Sequence, residues 1–73
     1  MMKEDKRKIC SLFLPVVQAT RAGRDVIDLE YTGNEFMDDE YVRIRFASGC
    51  TKKVNVTLDS GAAMILDVIK GLL

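Results

Sequence analysis

The chain has 73 residues, enough for one small core and no second. Its 48% apolar and 30% charged content is that of a globular protein and excludes wholesale disorder. Eleven basic residues balance eleven acidic ones, which removes the excess positive charge behind most nucleic-acid affinity.

Residues 1–8, "MMKEDKRK", read as a flexible charged arm, and residues 9–73 as a single α+β domain. Ile9, Leu12, Phe13, Val16, Val17 and Thr20 recur at spacings of three and one, which places them on one face of a helix. Pro15 removes a backbone donor and disfavours helix at Leu14, so a kink is expected on the polar side. A short strand over 7–13, followed by a helix opening at Pro15, is the other reading. Cys10, Leu12 and Phe13 break any two-residue alternation and favour the helix. Gly23 supplies its stop.

Three strands follow. Ile27, Leu29 and Tyr31 alternate with Asp28, Glu30 and Thr32. Val42, Ile44 and Phe46 alternate with Tyr41, Arg43 and Arg45, and Val54, Val56 and Leu58 with Lys53, Asn55 and Thr57. Such period-two patterning is that of strands with one buried and one solvated face. A long loop, "GNEFMDDE", joins the first two, and "SGC" makes a tight turn before the third.

In "LDSGAAMI", Asp59 or Ser60 is the expected N-cap of a terminal helix. Ala62, Ile65, Leu66, Val68, Ile69, Leu72 and Leu73 then share a stripe roughly 160° wide. The predicted fold is α+β, in the order α-β-β-β-α: a three-stranded antiparallel meander with both helices packed on one face.

That order, and the run "TKKVNVTLDSGAAMILDVI", resembles the end of a double-stranded-RNA-binding domain. The resemblance implies contacts to phosphates and 2′-hydroxyls across RNA minor grooves. It also implies a Lys-Lys-x-Ala-Lys run at the start of the last helix, where this chain has Asp59, Ser60, Gly61, Ala62 and Ala63. The cations that would grip phosphate are missing there. "AGRDVIDLEY", "EYVRIRF" and "TKKVNVTLDSGAAMI" together resemble short bacterial proteins of the prophage and mobile-element type. That likeness implies an accessory or regulatory role through binding, and it transfers no site residues.

Catalytic chemistry has little to build on. Histidine, the commonest general base and metal ligand, is absent. Cys10 and Cys50 form no paired motif, and two thiols do not make a disulfide framework. Cys10 reads as core or boundary packing and Cys50 as a turn thiol near Lys52 and Lys53. Asp38, Asp39 and Glu40 are adjacent carboxylates, but an extended backbone splays them apart, and they read as a solvated loop. No metal, cofactor or enzymatic activity is expected. With no signal peptide and no membrane-length apolar run, a cytoplasmic protein is expected.

What remains is contact. The loop Phe36, Met37, Asp38, Asp39 and Glu40 is one candidate interaction site: Phe36 and Met37 either fold back onto the core, the commoner outcome, or form an exposed apolar tip for a partner. The open sheet face, with Tyr41, Arg43, Arg45, Lys53 and Asn55, is another. The expected function is a small non-enzymatic protein-interaction module, an accessory or regulatory homo-oligomer or a partner of another protein. A weak nucleic-acid binder using the open face and Lys52 is the alternative.

Overall fold

Alternating sequence becomes an antiparallel sheet, with one helix before it in the chain and one after, in the computed structural model, which describes residues 3–34 and 37–73. Helix α1 spans Lys3–Gln18, strands β1, β2 and β3 span Val26–Asn34, Met37–Phe46 and Thr51–Asn55, and helix α2 spans Gly61–Leu72. The sheet order is β1-β2-β3, so the central strand is the longest and the first and third are the edges, as the sequence predicts. Both helices cover the apolar side, where Val17, Leu29, Val42, Ile44, Val56, Met64 and Val68 form the core.

Helix α1 begins at Lys3, inside the stretch read as a flexible arm, and it settles residues 7–13 as helix. Acidic Glu4 and Asp5 in its first turn favour an N-terminus there, because they complement the helix dipole. Pro15 lies within the helix on its exposed side. The chain leaves α1 through a turn in which the Thr20 hydroxyl bonds back to the Val17 carbonyl at 2.7 Å.

The strands depart from strict alternation in two places. At the start of β1, Val26 faces Phe46 while Asp28 faces Arg45, so Ile27 is an extra residue. This bulge turns Val26 into the core and leaves Ile27, expected to be buried, exposed. The second departure lies at the β1–β2 end. Pairing continues through Gly33↔Glu40 to Asn34↔Met37, so the expected long loop over 33–40 is largely strand.

After Phe46 the chain turns with Gly49 at φ +93°, a conformation a side chain rarely adopts, and the Gly49 N–H bonds the Phe46 carbonyl at 3.0 Å. Strand β3 ends earlier than the alternation suggests, at Asn55. Val56 still bonds the Glu40 carbonyl at 2.9 Å, and Leu58, in the left-handed region at φ 64°, reverses the chain into α2. Ser60 is the N-cap, its hydroxyl accepting from the Ala63 N–H at 3.2 Å. At the other end Lys52 of β3 donates to the Gly71 carbonyl at 3.1 Å, a cation placed where the helix dipole is negative.

The helices are rotated relative to their apolar stripes. On α1 the buried line is Lys6, Cys10 and Val17; Leu12 and Val16, near the centre of the expected inner face, are 69% and 55% exposed. On α2 the buried line is Gly61, Met64 and Val68, whereas Leu66, Ile69 and Leu73 of the expected stripe are exposed. A three-stranded sheet can cover only a narrow arc of each helix lying on it. The rest of each wide stripe meets its neighbour across the seam between the helices, or faces outward.

Candidate functional site

The open sheet face collects the predicted contact residues in rows set by register. Arg45 lies between Asp28 and Thr51, Arg43 between Glu30 and Lys53, and Tyr41 between Thr32 and Asn55. Arg43, Arg45, Lys53 and Asn55 are exposed, and Tyr41 is half-buried. The Lys53 ammonium sits 4.0 Å from the centroid of the Tyr41 ring and covers the one aromatic of this face among the described residues. Asp39, Tyr41, Lys53 and Asn55 line a shallow cleft of about 340 Å³. Lys52 points to the helix side, as its bond to Gly71 requires, so the four cations of the nucleic-acid reading do not share a surface.

Most of the candidate loop is strand, and the expected choice between an apolar tip and folding back falls on Phe36 and the Met37 side chain, outside the described residues. Met37 to Glu40 belong to β2. Asp39 is exposed, whereas Glu40 is turned inward because it shares the parity of Val42 and Ile44. Adjacent residues on a strand face opposite ways, so the acidic run is split.

Glu40 is the hub of a buried polar cluster. The Lys6 ammonium donates to Oε1 at 3.0 Å and Oε2 at 3.1 Å, with the two side chains 3% and 13% exposed. The Tyr31 hydroxyl donates to Oε1, and the backbone N–H of Leu58 donates to Oε2 at 3.1 Å. Thr57 Oγ1 ties the same residue from the other side, accepting from the Glu40 N–H at 3.0 Å. Gly33 stands opposite Glu40, and a Cβ there would lie 2.5 Å from the Tyr31 hydroxyl, so the missing side chain leaves room for this arrangement.

The electrostatics follow from those partners. The Tyr31 hydrogen bond, then Lys6 and the Leu58 N–H, outweigh burial and hold the Glu40 carboxyl below its ordinary range. Burial and the Glu40 hydrogen bond push the Tyr31 phenol well above its usual value. A carboxylate so fully engaged, beside a phenol that keeps its proton, is a structural clamp rather than a free acid or base. It joins α1, β1, β2 and the turn before α2.

Beside the clamp, Asp59 has a buried Oδ2 without a hydrogen-bond partner. The Asp67 carboxyl, first by hydrogen bonding and then with burial and its charge, raises the Asp59 pKa. Among the described residues no three acidic or thiol side chains gather as a metal site. Cys10 is buried and its thiol is pushed up to about 11, chiefly by burial and then by the Asp28 charge, while Cys50 is exposed.

An apolar surface lies on the helix layer. Phe13, Val16, Val17, Ile69, Leu72 and Leu73 line a groove of about 260 Å³ between α1 and α2. A second apolar hollow of about 200 Å³, lined by Ile9, Leu12, Phe13, Val16 and Ile65, continues it along the seam. Ile69 and Leu73 are 39% and 89% exposed, and Leu66 lies one step further round α2. No helix among the described residues is long and apolar enough to cross a membrane. The sequence carried this surface as surplus width in two amphipathic stripes, but nothing local showed that the surplus would be left outside the core.

The chain matches no family model, no curated protein and no solved structure in comparisons with known proteins.

Proposed function

We propose that this protein acts by contact, as a small non-enzymatic accessory or regulatory module that self-associates through the outer face of its helix layer. The observation that carries the reading is the continuous apolar seam from Ile9 and Leu12 to Ile69 and Leu73. Scattered apolar residues on a surface are ordinary, whereas a contiguous groove rimmed by polar residues marks an interaction site. Covering Leu12, Val16, Ile69 and Leu73 on two copies is worth on the order of 10 kcal/mol by area. Association itself costs about 4–15 kcal/mol, so the expected complex is reversible rather than permanent.

The nucleic-acid alternative has weaker support. Arg43 and Arg45 lie directly opposite Glu30 and Asp28, Lys53 occupies the Tyr41 ring, and the acidic Asp59 precedes α2. The cytoplasm is the compartment this reading assumes, with both thiols reduced.

Sedimentation across a wide concentration range tests the proposal. Wild type is expected to shift from monomer to a larger species, and Leu12→Glu with Val16→Glu to remain monomeric with unchanged circular dichroism. A wild type that stays monomeric at the highest concentration overturns it.

A further inference from the structure

We infer that the free edge of β3 takes up an acidic extended segment of another protein as a fourth strand. This surface is separate from the helix seam and goes beyond the self-association reading.

Backbone parity sets what the edge offers. The Phe46 N–H bonds the Cys50 carbonyl and the Val56 N–H bonds the Glu40 carbonyl, each at 2.9 Å. Antiparallel bonding alternates, so Lys52 and Val54 also turn their backbone groups toward β2. Thr51, Lys53 and Asn55 turn theirs outward, with no partner among the described residues. Their side chains lie on the open sheet face, and all three residues are exposed. The β2–β3 register runs without a break. The other edge is blunted: a bulge at Ile27 interrupts β1, and the Gln18 amide covers the Val26 carbonyl at 2.9 Å. Recruitment of an added strand therefore falls to β3.

Charge selects the chemistry of that strand. On the open face Lys53 stands beside Arg43, and Glu30 answers Arg43 from the far side. No carboxylate among the described residues pairs with the Lys53 ammonium, which lies over the Tyr41 ring instead. Arg45 stands next to Thr51, and Lys52 projects from the helix side of the same strand. Of the acids, Asp28 lies two strands away, opposite Arg45. Asp39 lines the cleft near Asn55, and Asp59, with Asp67 beside it, follows the end of the strand. The edge around Lys53 is thus basic. An acidic side chain set opposite Lys53 supplies its missing counter-ion, whereas a cationic strand there meets like charge.

Shape excludes a second copy at this edge. Three strands span about 14 Å, whereas two helices side by side span about 20 Å. With α1 on β1 and α2 on β3, the helix layer reaches past the sheet. A copy carrying its own helix layer is held off before its strand meets β3, and its own β3 would set lysine against lysine. A bare extended segment meets neither obstacle.

Amide chemical-shift titration with a defined peptide tests the assignment. The probe is a capped seven-residue peptide of alternating valine and threonine with glutamate at its centre. Shifts are expected at Thr51, Lys53 and Asn55, and the same peptide with central lysine is expected to bind several-fold more weakly. Lys53→Glu is expected to reverse that preference. Lys53→Pro removes an N–H that bonds nothing within the protomer, so it is expected to abolish binding with unchanged circular dichroism. If that variant does not fold, the Lys53→Glu reversal decides. No shifts at millimolar glutamate peptide, equal binding of the two peptides, shifts confined to the helix seam, or binding retained by folded Lys53→Pro overturns the proposal. Leu12→Glu with Val16→Glu is expected to leave the titration unchanged, so the edge and the seam stand or fall separately.

Discussion

Lys6 and Glu40, thirty-four residues apart, meet inside the fold with the ammonium 3.0 and 3.1 Å from the two carboxylate oxygens. A buried ion pair is tolerable only when both charges are fully answered. Here the Tyr31 hydroxyl and the Leu58 N–H complete the carboxylate, so one side chain from β2 holds the first helix, the first strand and the last turn. The pair fixes how far α1 slides along the sheet, and thereby where its apolar residues present themselves.

Glu40→Gln keeps the shape and removes the charge. It leaves the Lys6 ammonium buried without a counter-ion, and the expected loss of stability is about 3–5 kcal/mol. Urea unfolding of the variant checks this. Lys6→Met is expected to cost less, because Tyr31 and Leu58 still donate to the carboxylate. Equal losses in the two variants would contradict that ordering.

Acid acts on two carboxyl groups with opposite sign. Glu40 is depressed in the folded protein, so its contribution is complete above the unfolded-chain value of about 4.3 and is lost as pH falls through the folded value. Asp59 is raised, so the folded state takes up a proton before the unfolded chain does, and its penalty at neutral pH is relieved on acidification. Asp67→Asn is therefore expected to raise the melting temperature at pH 7 and to lose that advantage in acid. Melting curves against pH for wild type, Glu40→Gln and Asp67→Asn separate the two effects; a lower melting temperature for Asp67→Asn at pH 7 would refute the second.

Leu58 holds a left-handed backbone while its side chain is exposed. A side chain in that region costs roughly 1–2 kcal/mol, and glycine forfeits about 0.4–1 kcal/mol through the unfolded chain. Leu58→Gly is expected to stabilise the protein by about 0.5–1 kcal/mol, since the N–H bond to Glu40 is retained. Chemical denaturation reads the sign directly.

The two thiols differ in access. At mildly alkaline pH a thiol reagent is expected to modify Cys50 rapidly and Cys10 only after denaturant is added, because burial keeps Cys10 protonated and covered. Two equally fast thiols in the native protein would mean that α1 lifts readily from the sheet.

The order of elements was legible because it is written locally. Leu29 and Tyr31, Val42 and Ile44, and Val54 and Val56 alternate with polar neighbours, and a period of two survives whatever the strands pack against. Ile27 was misread because the bulge beside it depends on the partner strand: Val26 pairs with Phe46 and displaces it outward. The candidate site was legible only in fragments. Arg43 and Arg45 were placed correctly on the open face, whereas Glu40 was taken for part of a loop and Lys6 for part of an arm.

By itself, then, the sequence determined two amphipathic helices around a three-stranded meander, since periodicity and turn residues act over a few neighbours. Tertiary structure decided which arc of each helix is buried. The 160° stripe of α2 and the broad face of α1 both exceed what three strands can cover, and the rotation is set by contacts remote in sequence. Lys6 meets Glu40 on one side, and Lys52 meets the end of α2 on the other. The apolar width left over by that rotation is the surface on which a function by contact rests.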